Sequence, residues 1–392
     1  MNTQQECWLV AYGRAPVGRA GKGSFRNTHP VTLGAQTLQG VLARVPQLPH
    51  EDIDDVIVGC AYPEERQGWQ MARLIVQRAG LPDCVCAQTL TRFCSSGLQA
   101  IATGSNAILA GQADVIVAGG VESMSQVQKL AYPLEYEEAE LAQTAAYMPP
   151  GLTAERVAGG WNVTREEMDA MAAESHRRAA AAQARGDFDG EIIPITLPDG
   201  TQVRADEGIR PNTTPEGLAA LKPCFQPDGR VTAATSSQTS DGAAFVVLMS
   251  REKAGALGVK PIARLIGFAV AGCPPEIMGI GPIHAVPKVL ARTGLTIEDM
   301  DVIELNEAFA AQAIPCIRTL GMDPAKVNPN GGAMALGHPL GATGAVLTCK
   351  ALAQLGRTGG RYAMVTMCIG GGMGAAAIFE RIAQEDPSTK GT

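Results

Sequence analysis

The sequence predicts an α/β protein built from two repeated halves, and three observations carry that reading. Apolar, strand-like runs alternate with helical ones along much of the chain. Two of the strand sequences recur roughly 247 positions further on. The composition combines 46% hydrophobic residues and 45 glycines with only 4% aromatics, which suits close packing of strands and helices rather than an aromatic-lined binding module. Strands of this kind imply mixed or parallel sheets covered by helices on both faces. At 392 residues the chain can bury a large core, and length alone predicts two to three domains.

The first repeated element is Asp55-Val56-Ile57-Val58-Gly59-Cys60, echoed by Asp301-Val302-Ile303-Glu304-Leu305-Asn306. The second is Asp114-Val115-Ile116-Val117-Ala118-Gly119-Gly120, echoed by Arg361-Tyr362-Ala363-Met364-Val365-Thr366-Met367-Cys368. Between the paired strands each half carries a Gly-rich turn and a helix, Cys94 to Gln112 in one and Gly341 to Leu355 in the other. Such halves pack about a pseudo-dyad and bring equivalent strand ends to a shared cleft. From about Val121 to Ser237 the chain turns polar, with a helix from Arg165 to Arg185 and then Pro-, Asp- and Gly-rich turns through Gly229. This stretch reads as an insertion in the first half, placed where substrate-binding loops usually sit. The expected organisation is an N-terminal half over 1–120, completed by about 238–262, an inserted loop domain over 121–237, and a C-terminal half over 263–392. The tail from Gln384 to Thr392 is polar and expected to fray.

A net charge of −7, with no basic stripe, argues against a nucleic-acid partner. Arg14, Arg19, Lys22 and Arg26 form a local basic group that reads as solvated surface or, alternatively, a phosphate contact. The first residues lack a cationic and apolar leader, and no run of 18 apolar residues occurs, so a soluble cytoplasmic protein without a membrane span is expected. Ten cysteines fit that compartment as free thiols. Cys84-Val85-Cys86 has the wrong spacing for a zinc site, and the five histidines show no ligand spacing, so no metal is expected.

Two cysteines and one histidine carry the chemistry. Cys94, in Thr91-Arg92-Phe93-Cys94-Ser95-Ser96-Gly97, and Cys368, in Met367-Cys368-Ile369-Gly370-Gly371-Gly372, each stand at a small-residue turn after an apolar run. His338 lies between them in Gly337-His338-Pro339. A thiol is often inert core, but Cys94 opens a helix, where the dipole and free N–H groups are expected to lower its pKa. Two thiols and an imidazole at one centre suit carbon–carbon bond chemistry on a thioester: one thiolate takes the acyl group, the imidazole accepts its proton, and the second thiol moves a proton on carbon.

At this point the chain resembles the thiolases, most nearly the degradative 3-ketoacyl-CoA thiolases, over almost its whole length. The likeness runs through Arg92 to Ala100, Gly119 to Ser125, Gly151 to Glu155, Asp206 to Pro211, Ser236 to Ala243, Asn306 to Phe309, Gly337 to Pro339 and Cys368 to Gly372. The resemblance implies a five-layered α-β-α-β-α fold from two repeated halves with an inserted, coenzyme A-binding loop domain, and a homodimer or homotetramer. It implies thiolytic cleavage of a 3-ketoacyl-CoA by coenzyme A to acetyl-CoA and a shortened acyl-CoA, as in fatty-acid β-oxidation, with coenzyme A as substrate and no tightly bound cofactor. Carried over, Cys94 is the acylated nucleophile, His338 its base, and Cys368 the acid or base at the acetyl carbon. Asn306 is expected to hold a water that forms one oxyanion hole with His338, and the N–H groups of Cys94 and Gly370 the other; fixed donors of this kind contribute ~3 kcal/mol each. Arg210 and Phe225 are expected at the nucleotide, Ser237 along the pantetheine, Ala308 and Phe309 beside the thioester, and Met278 in the acyl pocket.

The chain departs from many short-chain biosynthetic relatives in one place, carrying Pro149-Pro150 where they carry His-Met before the Gly-x-Thr-Ala-Glu motif. This favours broader acyl chains. The rival readings are an acetoacetyl-CoA thiolase running Claisen condensation, a non-catalytic acyl-CoA or lipid binder, which conflicts with the presence of both cysteines and the histidine, and a nicotinamide enzyme. The stretch Gly370 to Gly374 lacks the Gly-x-Gly-x-x-Gly order that the last would need.

Overall fold

The computed structural model describes residues 5–127, 145 and 147–383. The tail expected to fray, and part of the insertion, lie outside those residues. The first half contains strand β1 (Cys7–Arg14), helix α1 (Pro30–Leu42), β2 (Asp55–Gly59), α2 (Met71–Arg78), β3 (Cys86–Leu90), α3 (Ser96–Leu109) and β4 (Val115–Ser123). Helices α4 (Pro150–Gly160) and α5 (Arg165–Arg185) follow, and then β5 (Ser240–Ser250). The second half contains β6 (Ala263–Gly272), α6 (Gly281–Thr293), β7 (Val302–Leu305), α7 (Ala310–Thr319), α8 (Leu340–Thr358), β8 (Tyr362–Ile369) and β9 (Met373–Arg381). The helix expected from Arg165 to Arg185 has those bounds because Thr164 and Glu167 form a capping box at one end and Gly186, at φ 75°, closes the other.

The two halves repeat one topology. In the first, the order is β3-β2-β4-β5-β1, with β2 parallel to β3 and β4, and β5 antiparallel to β4 and β1. In the second it is β7-β8-β9-β6, with β7 parallel to β8 and β9 antiparallel to both neighbours. Val327 bridges Ile303 in parallel, on the side where β3 flanks β2. The halves join edge to edge through Leu9 on β1 and Ala263 on β6.

Strand alternation divides the core into layers. On β4 and β5, Val115, Val117, Phe245 and Val247 face α1 and α2, while Ile116, Ala118, Val246 and Leu248 face inward to α3 and α8. On β8 and β9, Ala363, Val365, Ala377 and Phe379 meet the same two helices from the other side, and Met364 and Ile378 face α6 and α7. Period-two alternation with both faces apolar therefore generates five layers, α-β-α-β-α. Each fully buried aliphatic or Phe side chain contributes ~1.5–3 kcal/mol to this packing.

Arg14 corrects the reading of the basic group near the start. Its guanidinium is fully buried and donates to Asp206 at 2.7 and 2.9 Å and to Glu191 at 2.8 Å. It therefore ties the end of β1 to the segment that follows α5. Removing one partner would leave an uncompensated buried charge, a loss of ~3–5 kcal/mol.

The central layer depends on glycine. A Cβ at Gly97 would lie 2.8 Å from the Gly341 carbonyl oxygen, one at Gly344 2.4 Å from the Leu98 nitrogen, and one at Gly120 2.3 Å from the Gly341 oxygen. Helices α3 and α8 thus touch backbone to backbone at their N-terminal ends. A glycine in a helix ordinarily loses up to ~1 kcal/mol against alanine, so contact geometry decides the sign here. Gly344→Ala is expected to lower Tm, with overpacking of ~1–3 kcal/mol or more, whereas Gly356→Ala, in the same helix with open space around it, should leave Tm unchanged or raise it. Thermal melts of the two variants side by side test this; equal effects would mean that the crossing is not the constraint.

Candidate active site

The glycine crossing delivers two side chains to one place. Cys94 stands three residues before Gly97 and His338 three before Gly341, so each occupies the same position relative to the contact. Cys94 sits in a single 3-10 turn, Phe93–Ser95, just ahead of α3. Phe93 holds φ at 43°, a left-handed conformation disfavoured for a bulky residue. Ser96 stabilises the turn, its hydroxyl accepting from Arg92 N and donating to the Phe93 carbonyl.

The expectation that the helix start lowers the Cys94 pKa is overturned. Burial pushes the thiol up to about 11; the Gly370 N–H and its own N–H pull it down, while Glu122 adds to the rise. The donors are present, but desolvation outweighs them.

His338 is buried in a loop fixed on several sides. Its N–H is shared by the Gln238 carbonyl and Ser240 Oγ at 3.0 and 3.2 Å, and Thr239 bridges it in parallel. Its Nδ1 lies 2.6 Å from Thr343 Oγ1 and its Nε2 3.4 Å from Asn306 Nδ2. Burial pushes its pKa down to about 4, so the ring is neutral at physiological pH. Asn306, fully buried after β7, is held by its N–H to the Thr366 carbonyl, and its Oδ1 is an unpartnered buried acceptor.

Cys368 is buried near the end of β8, and burial followed by the neighbouring Cys94 raises its pKa well above the ordinary thiol value. Gly370 lies in the turn from β8 to β9, where Gly371 and Gly372 take φ of 80° and 85°. A Cβ at Gly372 would fall 2.3 Å from the Cys273 carbonyl oxygen, so the turn that presents the Gly370 N–H to Cys94 needs glycine.

The strand registers expose a relation between halves. Gly59 pairs with Gly120 as Leu305 pairs with Thr366. Two residues further along β4 and β8, Glu122 occupies the place of Cys368, and Cys60 that of Asn306. Glu122 accepts from Ala61 N and Gly341 N, both at 2.7 Å, and from Gln67 Nε2 at 2.7 Å. It ties the loop after β2 to the first turn of α8. The sequence motif around Glu122 was visible, but this bond across the halves was not.

The remaining expected residues divide into two groups. Ser237 donates its N–H to the Ala308 carbonyl at 2.9 Å, and Ser236 bridges Phe309, so these residues form one strip leading to His338. Ala308, Phe309 and Met278 are buried in an apolar layer with Cys368, Ala154 and Met334. Met334, which reads in the sequence as ordinary core, packs in this layer at 1% exposure. Phe225 and Arg210 lie farther out and are exposed. The Phe225 ring meets Phe309 edge-on at 5.9 Å and covers Gly151, where a Cβ would lie 2.0 Å from its Cδ1. Glu155 shapes the adjoining loop by accepting from Arg230 N and Val231 N. The Arg210 N–H donates to His176 Nδ1 at 3.1 Å. Among the described residues no group of His, Cys, Asp or Glu could hold a metal ion.

Comparison with known proteins agrees with this arrangement. The model of the thiolase N-terminal domain matches residues 7–252, and that of the thiolase C-terminal domain matches residues 259–381. The chain is 49% identical over 390 residues to a 3-ketoacyl-CoA thiolase of Bacillus subtilis, covering 96% of this chain and 99% of that one. It is 46% identical to the peroxisomal 3-ketoacyl-CoA thiolase A of Mus musculus, covering 95% and 90% respectively. Its fold superimposes on the Bacillus anthracis acetyl-CoA acetyltransferase with a TM-score of 0.89 at 38% identity, covering 97% and 100% of the two chains. With both domain models matched in order, and a relative nearly half identical end to end, the chain belongs to the thiolase family.

Proposed function

We propose that this thiolase cleaves 3-ketoacyl-CoA with coenzyme A, giving acetyl-CoA and an acyl-CoA shortened by two carbons. The observation that carries the reading is the Cys94 thiol, met by the Gly370 N–H and its own, on the same crossing as a buried neutral imidazole and beside a second thiol. A thiol with a raised pKa needs a base, and a neutral imidazole is one.

In the first half-reaction His338 takes the Cys94 proton, and the thiolate attacks the 3-keto carbon. The Cys94 and Gly370 N–H groups receive the resulting oxyanion. As the bond between C2 and C3 breaks, its electron pair passes to the acetyl-CoA enolate, whose oxygen faces Asn306 and His338. Cys368 gives its proton to C2, and acetyl-CoA leaves. In the second, the Cys368 thiolate takes the proton of incoming coenzyme A, whose sulfur attacks the acyl-Cys94 carbonyl. Cys94 departs and recovers its proton from His338. A buried, protonated Cys368 is the form that a carbon acid–base step requires.

Arg210 and Phe225 suit the nucleotide, as a cation for phosphate and a ring for adenine. Ser237 and Ala308 with Phe309 suit the pantetheine arm and the thioester, and Met278 the acyl chain. We assign coenzyme A binding to the insertion, 121–237, and the reacting groups to the two repeated halves. A homodimer or homotetramer is supported by the exposed edge strand β3 and by Trp69, which is 90% exposed. Ten free cysteines suit the reducing cytoplasm.

Brief exposure to labelled acyl-CoA followed by peptide mapping is expected to place the label on Cys94; label on Cys368 alone would overturn the assignment. Cys368→Ala should abolish thiolysis while acyl transfer to Cys94 remains measurable. With Pro149 and Pro150 opening α4 beside the apolar layer of Met278 and Met334, kcat/KM is expected to rise from four carbons to about six or eight. Each buried methylene contributes up to ~0.8 kcal/mol. A steep fall beyond acetoacetyl-CoA would favour the biosynthetic acetyl transfer instead.

The neutral imidazole also has a pH signature. In the unfolded chain His338 titrates near ~6.5, and in the fold near about 4. Its contribution to stability is therefore complete above about 6.5 and is lost as pH falls towards 4, because only the unfolded chain gains the proton. The Tm difference between the wild type and His338→Asn should shift against the wild type over that window. A constant difference would mean that the ring is solvated.

A further inference from the structure

We propose that Thr343 is a positioning residue for His338, fixing its ring and its tautomer through Nδ1. The proposal rests on the reading of His338 as the base for Cys94. A base that works through Nε2 must carry its proton on Nδ1, and something must hold that proton. In many such sites a carboxylate does so. Here no acidic side chain contributes to the His338 shift, which burial alone explains, and the partner of Nδ1 is the Thr343 hydroxyl at 2.6 Å.

Helix α8 supplies its own control. A helical threonine commonly donates back to the carbonyl four residues earlier, and Thr348 and Thr358 do this, to Gly344 and Gln354 at 2.8 and 2.9 Å. Thr343 does not. The Pro339 carbonyl four residues before it accepts from Ala342 N instead, and the Thr343 hydroxyl points towards the helix N-terminus and the imidazole. Side chains in a helix lean towards its start, so the spacing of five residues from His338, with the helix beginning at Leu340, places the hydroxyl under the ring. Thr343 is buried at 2% exposure, so bulk solvent does not reach its hydroxyl.

A hydroxyl differs from a carboxylate in a way that matters for this reaction. As an acceptor it holds Nδ1–H and leaves the Nε2 lone pair facing the site. Being neutral, it stabilises the imidazolium less than a carboxylate would, so the proton taken from Cys94 is more readily returned when the acyl group leaves.

The test compares Thr343→Val, Thr343→Ala and Thr343→Ser with the wild type and His338→Asn. It measures thiolysis kinetics, iodoacetamide alkylation of Cys94, and the nitrogen chemical shifts of His338. The expected result is a fall of about 10- to 100-fold in kcat and in alkylation rate for both variants without a hydroxyl, the range found for partners that orient metal-bound imidazoles. KM for coenzyme A should stay within about twofold, the Nδ1–H tautomer should lose population, and Thr343→Ser should restore all three. If Thr343→Val and Thr343→Ala keep the wild-type kcat and tautomer, the proposal is overturned, provided His338→Asn has lost alkylation. If His338→Asn alkylates at the wild-type rate, the base reading itself fails, and the proposal with it. Loss of kcat with an unchanged tautomer, or without rescue by serine, would reduce Thr343 to a packing residue and also overturn the proposal.

Discussion

The approach of two helices through glycine is the constraint on which the rest of the molecule depends. At Gly97, Gly120, Gly341 and Gly344 there is no room for even one methyl group between the backbones. Because Cys94 and His338 each precede their contact glycine by three residues, this single packing event sets the relation of the Cys94 thiol and the His338 imidazole. The surrounding layers serve it: apolar faces of β4, β5, β8 and β9 press α3 and α8 together from both sides. Glu122 then bonds the loop after β2 to the start of α8, next to that crossing.

The pseudo-dyad explains why the two halves of the site differ in chemistry while sharing geometry. Cys94 and His338 occupy matching helix starts, and Glu122 and Cys368 matching places on β4 and β8. In the proposed mechanism one half thus supplies the nucleophile, beside a structural carboxylate, and the other supplies the base, the proton-transfer thiol and Asn306. Desolvation raises the pKa of both thiols and lowers that of the imidazole, which favours the neutral form of all three groups at rest. In the proposed mechanism charge arises only as the reaction proceeds, where the Cys94 and Gly370 N–H donors are already in place.

Much of this was legible in the sequence because it is written in local patterns. The repeated Asp-Val-Ile strands announced the two halves, the helical run from Arg165 to Arg185 gave α5 its bounds, and cysteines followed by glycines marked the turns. What was not legible depends on contacts between distant segments. Arg14 looked like surface until Asp206 and Glu191 closed on it from about 180 residues away. The Cys94 pKa moved opposite to the helix-start argument, because local sequence reports the donors but not the desolvation. Thr343 and Met334 carried no signal of their own, being small or apolar residues whose roles depend on what folds beside them.

The central claim is that residues from both halves converge on one reacting centre, and a short bifunctional thiol reagent tests it most directly. Treatment of the intact protein with dibromopropanone, followed by digestion and mass spectrometry, should yield a peptide pair joined between Cys94 and Cys368 within one chain. Prior acylation of Cys94 should suppress it. Single alkylation of Cys94 with no link to Cys368, or a link to another cysteine, would contradict the account.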